Sequence, residues 1–410
     1  ELLNLKIKRR YSVKNKYLKK YTFPLLAAVI FAALPLIGAF YTYDNILADG
    51  LYQKPQALNG EIVMLEIDSA ALEELGPFSS WGRSVMAEII EKLNAHEENR
   101  PAVIGIDVIY SGESQKEDDE RLANAAKMGE NVIMAAAASF GENIIISDSG
   151  FYVDSQAVMT FDEPYAALKA ATKQGHINAM NDRDGIIRHC ILKIQTPQAG
   201  EVFSFNYEIA RMYSEKMGLE QKIPKTDGKN QWYLEFSAMP KGFSDGFSVI
   251  DLLNGSLPPE VFADKIVLIG PFAAGLNDKV VSAIDHAAPM YGIEYQANAI
   301  NAILNGNFKR EASVTFQSAL IFVITFLYAL WLRDRKVLEA SLSLVFLICI
   351  SFGICIFADS AGFILMPLYL PLMAVTLYIA SVAANYVRAA LEKRHITSTF
   401  QNDFFIKIHP

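Results

Sequence analysis

Four apolar runs, each walled off by charge, constrain this chain more than any other feature. Crossing the ~30 Å hydrocarbon core of a bilayer takes about 20 mostly apolar residues in a helix. The sequence predicts such helices over residues 22–42, 312–332, 337–357 and 363–387. Tyr17, Tyr21, Tyr41 and Tyr43 flank the first at the depths where aromatic rings favour the interface. A cleaved signal peptide is the competing reading of that run. The long basic region before it and the absence of a clear small-residue cleavage site after it favour an anchor.

Charge then orients the runs. Residues 1–20 hold eight Lys or Arg (Lys6, Lys8, Arg9, Arg10, Lys14, Lys16, Lys19, Lys20) against one acid, Glu1. Arg333, Arg335 and Lys336 follow the second run, and Arg388, Lys393 and Arg394 follow the fourth. Placing all three clusters inside satisfies the positive-inside rule. This makes 1–21 a cytoplasmic basic terminus, 43–311 an extracytoplasmic domain, and 388–410 a cytoplasmic juxtamembrane helix. The expected location is the plasma (inner) membrane, with the lipid bilayer as the first partner. Glu339 is the only Asp, Glu, Lys or Arg within these spans, and it sits near a cytoplasmic end. Transporters mark their ion paths with intramembrane charge, so that class is disfavoured. Ser343, Ser351, Gly353 and Cys355 offer small residues for helix contact, although ordinary bundle packing accounts for them as well.

Between Tyr43 and Ala312 the balance is 22 basic against 39 acidic side chains, 22 − 39 = −17. A nucleic-acid binder concentrates Lys and Arg on its folded domain, so no nucleic-acid partner is expected. Cys190 is the single cysteine of that section, which excludes an internal disulfide and a Cys-based zinc site.

The section punctuates itself as α/β. Residues 61–67, 102–106, 131–137 and 265–269 are short, nearly continuous Val/Ile/Leu/Ala runs suited to buried strands. Residues 70–75 read as a helix capped by Ser69, and 84–93 and 118–127 as further helices. The stretch 150–239 alternates more and suits antiparallel strands. The fold class expected is an α/β extracytoplasmic domain with a mixed, partly parallel sheet, joined to an α-helical membrane domain of one helix before it and three after.

Ligands of open parallel sheets bind beyond the carboxyl ends of the strands, where Asp68, Asp107 and Gly270 stand. Strand-end acids also cap helices and loops, so both roles stay open for Asp68 and Asp107. Arg83 and Arg188 either pair with those carboxylates or meet an anionic ligand bidentately. Trp81 is a stacking ring for a ligand or a core or dimer-interface aromatic. His176, Asp182, Asp184, His189, Asp278, Asp285 and His286 are metal-ligand types, but no helix-spaced His pair with Glu, nucleophile elbow or phosphate-cradling glycine loop appears. Asp182-Arg183-Asp184-Gly185 looks like a calcium loop without its downstream acid, and Gly185 suits a positive-φ turn. No cofactor and no catalysis are expected from these residues.

Several stretches occur in an order that resembles the CHASE sensory domain family of the second type, the cyclase- and histidine-kinase-associated sensory extracellular domains. They are Ile67-Asp68-Ser69-Ala70-Ala71-Leu72, Trp81-Gly82-Arg83, Ile104-Gly105-Ile106-Asp107, Gly175-His176-Ile177-Asn178 and Asp184-Gly185-Ile186-Ile187-Arg188. Lys265-Ile266-Val267-Leu268-Ile269-Gly270, Asp278, Pro289-Met290-Tyr291-Gly292-Ile293-Glu294 and Ala297-Asn298-Ala299 follow. The resemblance covers about residues 43–310, and the three closing spans match the family's layout. The family's Trp-Pro-Trp-x-Arg is only partly kept in Ser80-Trp81-Gly82-Arg83.

The resemblance implies a homodimeric transmembrane receptor for an unknown extracytoplasmic ligand or protein. Its implied output is a class III adenylate or guanylate cyclase, a histidine kinase, or a serine/threonine kinase. The tail around Glu392–Phe400 looks like the entry helix of the cyclases, and the chain reads as a fragment that stops before an output domain. The candidate ligand residues are Asp68, Trp81, Arg83, Asp107, His176, Asn178, Asp184, Arg188 and Asp278. A display protein is the alternative class.

Overall fold

A computed structural model describes residues 20–147, 150–197, 199–276 and 278–408. The basic terminus before residue 20 lies outside the described residues. The chain divides into two compact units, Gln53–Arg310 and a second made of the flanking segments.

In the flanking unit, helix α1 (Lys20–Leu36) meets α2 (Tyr41–Tyr52) at a 75° bend. The break follows from its residues: Gly38 and Phe40 both take positive φ, and Ala39 N–H donates back to the Leu34 carbonyl as a helix terminator. The sequence-based domain boundary at 43 differs from the compact-unit boundary by α2. That helix stays with the apolar helices through Asp44, which accepts Leu368 N–H at 2.9 Å, and Tyr52, whose hydroxyl donates to Leu365 O at 2.8 Å. Three later helices are long and apolar enough to cross a membrane: residues Val314–Leu332, Val337–Ser360 and Tyr369–Arg394. The bent α1–α2 pair raises the count to four if it is one span. Small side chains behave unevenly: Ser351 and Cys355 are buried, whereas nothing lies within 4 Å of a Cβ placed on Gly353.

The Gln53–Arg310 unit is built on strands β1 (Ile62–Ile67), β2 (Val103–Ile106), β3 (Val132–Ser147), β4 (Gly150–Asp162) and β5 (Lys173–His176). Between them run α3 (Ser69–Leu75), α4 (Arg83–Leu93), α5 (Lys116–Gly129) and α6 (Ala166–Ala171). Strands β6 (His189–Ile191), β7 (Lys193–Thr196) and β8 (Gly200–Phe203) precede α7 (Phe205–Met217), then β9 (Gln231–Leu234) and α8 (Val249–Leu253). The unit closes with β10 (Ile266–Pro271), β11 (Lys279–Ser282), β12 (Asp285–Tyr291), α9 (Gly292–Asn305) and β13 (Phe308–Glu311). The membrane-length helices continue the numbering as α10 (Val314–Leu332), α11 (Val337–Ser360) and α12 (Tyr369–Ile408).

The main sheet runs β1-β10-β2-β3, with all three pairings parallel. The first half of β3 also takes β5 in parallel, and its second half turns back antiparallel on β4. The sheet is therefore mixed and mostly parallel. Alternate residues divide cleanly between two cores. Met64, Val103, Ile133 and Leu268 pack with α7 and α9. Leu65, Ile104, Met134 and Ile269 pack with α4, α5 and α8. Cover on both faces explains why the strands read as continuous apolar runs. Antiparallel pairs β6–β9, β7–β8 and β9–β13 supply the alternating stretch. One capping expectation is corrected: the N-cap of α3 is Asp68, one residue before Ser69, because Asp68 holds extended backbone and its carboxylate accepts Ala71 N–H.

Candidate functional site

The carboxyl ends of β1, β10 and β2 lie side by side, and acids crowd them. Asp107 follows β2 and is still tied into the ladder, its N–H donating to Ile269 O at 2.8 Å. A Cβ on neighbouring Gly270 would stand 2.7 Å from Ile293 Cδ1 and 3.1 Å from Asp107 Cβ. Glycine there lets the first turn of α9 and the Asp107 side chain close over the strand end. Asp278 reaches the same place from the loop before β11: a Cβ on Gly292, the first residue of α9, would stand 2.5 Å from both of its carboxylate oxygens. Its backbone carbonyl accepts Gly292 N–H at 3.1 Å.

Asp107 is 7% exposed, and among the described residues neither its carboxylate nor that of Asp278 has a hydrogen-bond or ion-pair partner. Burial, followed by the Asp278 charge, pushes Asp107 up to about 8. Burial also raises Asp278. Such a pair holds a proton at neutral pH, or holds a cation in its place.

The sequence reading passed over two acids of the same edge. Glu66 lies inside β1 and accepts Ser244 Oγ–H at 2.5 Å, while burial raises it and the charges of Asp68, Glu294 and Asp245 add to the rise. Glu294, in the first turn of α9, accepts Tyr291 N–H at 3.1 Å and Lys241 N–H, and burial raises it as well. A charged residue inside an apolar strand was the available signal for Glu66.

The other sequence candidates fall elsewhere and are engaged. Asp68 caps α3 and accepts Ser248 Oγ–H at 2.7 Å. The expected pairing of the arginines with Asp68 and Asp107 is corrected. Arg83 instead meets Asp119 at 2.6 Å and donates to Gly112 O, with its guanidinium 4.4 Å above the Tyr165 ring. Arg188, 3% exposed at its side chain, bridges Asp182 and Asp184 at 2.9 Å each. The reasons differ: the loop just before Arg188 carries Asp182 and Asp184, whereas Arg83 is met by Asp119 of α5, 36 positions along the chain. Asp182 also meets His189 Nδ1 at 3.1 Å, and these contacts outweigh burial to hold its carboxyl below the ordinary range. Gly185, at φ 82°, closes that loop with Gly185 N–H on Asp182 O. Trp81 packs edge-on against Phe78 at 5.1 Å and donates to Gly76 O at 2.9 Å. Asn178 pairs both ways with the backbone of Ala138, extending the β3–β5 ladder with a side chain.

His176 is fully buried, and both ring nitrogens lack a hydrogen-bond partner among the described residues. Burial pushes it down to about 3, so the ring is neutral. No group of three or more His, Cys, Asp or Glu among the described residues is arranged to hold a metal.

A sequence model of the CHASE2 domain matches residues 25–332. No curated protein matches the chain. No solved structure matches it either.

Proposed function

The chain belongs to the CHASE2 domain family of sensory domains from signalling proteins, and from that premise we propose that it is the sensing and membrane part of a transmembrane receptor. The observation that carries the reading is the extent of the family match, which takes in most of α1, the whole α/β unit and α10. In this reading α1 is a span, making four, and the α/β unit faces the outside of the plasma membrane. The basic N-terminus and the tail lie in the cytoplasm, and the protein works as a homodimer.

The stimulus acts at the carboxyl edge of the sheet. Of the nine candidate residues, Asp107 and Asp278 there lack internal partners among the described residues, while six others are hydrogen-bonded or ion-paired within the fold. Neutralising or pairing the two carboxylates favours one arrangement of the first turn of α9 against β10 and β2. A ligand or partner protein that supplies positive charge or a proton there shifts the population, and the helices after residue 312 carry the change toward α12. At 40 residues, α12 is about 60 Å long by the usual rise per residue, which is longer than a bilayer is thick. It can therefore pass a rigid-body movement beyond the membrane.

The output read by this helix is a class III adenylate or guanylate cyclase; a histidine or serine/threonine kinase is the second reading, since the family serves all three. Mass mapping of the native membrane protein past Phe400 tests the proposal. Peptides of a cyclase domain, with cyclic nucleotide formed by the same preparation, are the expected result. A native polypeptide with no signalling domain beyond Phe400 would overturn it and leave display at the membrane as the function.

A further inference from the structure

The unit of apolar helices contains a cavity of about 340 Å³ between α1, α10 and α12. That is within the size range of small-ligand pockets, which begins at about 300 Å³. Its apolar wall includes Phe23, Leu332 and Leu377, and its basic residues are Lys20, Arg333 and Arg388. No Asp or Glu lines it.

The two guanidinium groups each donate to a backbone carbonyl at the ends of the helices. Arg333 Nη1 donates to Lys20 O at 3.3 Å, and Arg388 Nη1 donates to Arg333 O at 3.3 Å. Each guanidinium carries five N–H donors, so most of each fork remains for another acceptor. Among the described residues Arg333 Nε lies 4.0 Å from Asp334, whose own side chain is 83% exposed. An exposed pair at that distance contributes little.

We propose that this cavity is a binding site for one anionic phospholipid of the leaflet that meets the basic ends of the helices. The phosphate sits among Lys20, Arg333 and Arg388, and one acyl chain follows the apolar wall. Charge complementarity and position select this occupant: three cations stand at the end of apolar helices, where headgroup phosphates lie and where basic pockets between helices bind anionic headgroups. Arginine forks match phosphate geometry bidentately. A lipid seated there joins α1 to α10 and α12, the helix that continues to Ile408. The proposal requires the helices to span a bilayer and is independent of the stimulus and of the output.

Native mass spectrometry of the 410-residue chain, released from nanodiscs of mixed phosphatidylglycerol and phosphatidylcholine, tests it. The expected spectrum retains one phosphatidylglycerol per chain with at least about tenfold preference. Arg333→Gln with Arg388→Gln weakens retention about 30-fold, the equivalent of about 2 kcal/mol for two neutralised basic groups. Ala384→Trp keeps all three charges, fills the cavity from α12, and removes the bound lipid while the melting temperature in lipid-free detergent is unchanged. Lys393→Gln with Arg394→Gln, basic residues outside the cavity, leaves retention intact. Equal retention of phosphatidylcholine overturns the proposal. So does displacement by millimolar inorganic phosphate, which would make this a free-anion site, or equal loss in both charge-neutralised pairs.

Discussion

Two regions of the α/β unit treat buried charge in opposite ways. At the arginine loops every charge is closed off. Arg188 holds Asp182 and Asp184, and Arg83 holds Asp119 under the Tyr165 ring. At the carboxyl edge of the sheet, the Asp107 carboxylate feels the charge of Asp278, and neither carboxylate is paired with a cation among the described residues. The first arrangement locks loops in one geometry. The second leaves a state open to be changed by what arrives there. Charged motifs that look alike in the sequence therefore divide into scaffold and candidate sensor.

The sharpest way to break this division is to open the tightest loop. Arg188→Ala strands two carboxylates in a buried setting, and is expected to cost about 3–5 kcal/mol. A fall of that size in urea unfolding free energy checks it, and a change under about 1 kcal/mol would place Arg188 with the open edge instead. Because Asp182 is held below its ordinary value, the stability from its pairing is present above the ordinary carboxylate range and lost as pH falls through the lowered value. The wild-type advantage over Arg188→Ala should shrink in acid.

Arg83→Ala comes next, at about 2–3 kcal/mol for the lost Asp119 pair, carbonyl bonds and ring contact. Thermal melting of the purified chain reads it. Asp107→Asn should act with the opposite sign. Burial raises Asp107 to about 8, so folding favours its neutral form: that contribution is full below about pH 4 and lost as pH rises through about 8. The amide keeps the neutral shape and is expected to raise the melting temperature at pH 9, and to raise it much less at pH 5. Destabilisation at pH 9 would mean that the carboxylate has a partner. Smallest is Asp68→Ala, about 1 kcal/mol for a lost helix cap. It should show as faster amide exchange confined to α3, since Asp68 serves the scaffold.

Much of the architecture was legible because burial on both faces writes itself as uninterrupted strands. The runs at 61–67, 102–106 and 265–269 became β1, β2 and β10 with small changes at their ends. Strand order was not legible, since β10 enters between β1 and β2 from about 160 residues downstream and no local pattern records that. The break at Gly38–Phe40 escaped notice because a bent helix and a straight one share the same hydropathy. At the site, Asp107 and Asp278 were legible as strand-end and motif acids. Glu66 was hidden among apolar neighbours. The partners of Arg83 were obscured by distance, since Asp119 lies 36 positions away.

The most direct test joins the open edge to the tail. Spin labels at position 393, in a chain with Cys349 replaced by Ser, report the distance between tails of neighbouring subunits in nanodiscs. The wild type should change its distance distribution between pH 9 and pH 6, as Asp107 takes up its proton. Asp107→Asn should hold the pH 6 distribution at both values. A wild-type distribution that never moves, or an Asp107→Asn chain that still follows pH, would contradict the control of the membrane helices by the carboxyl edge.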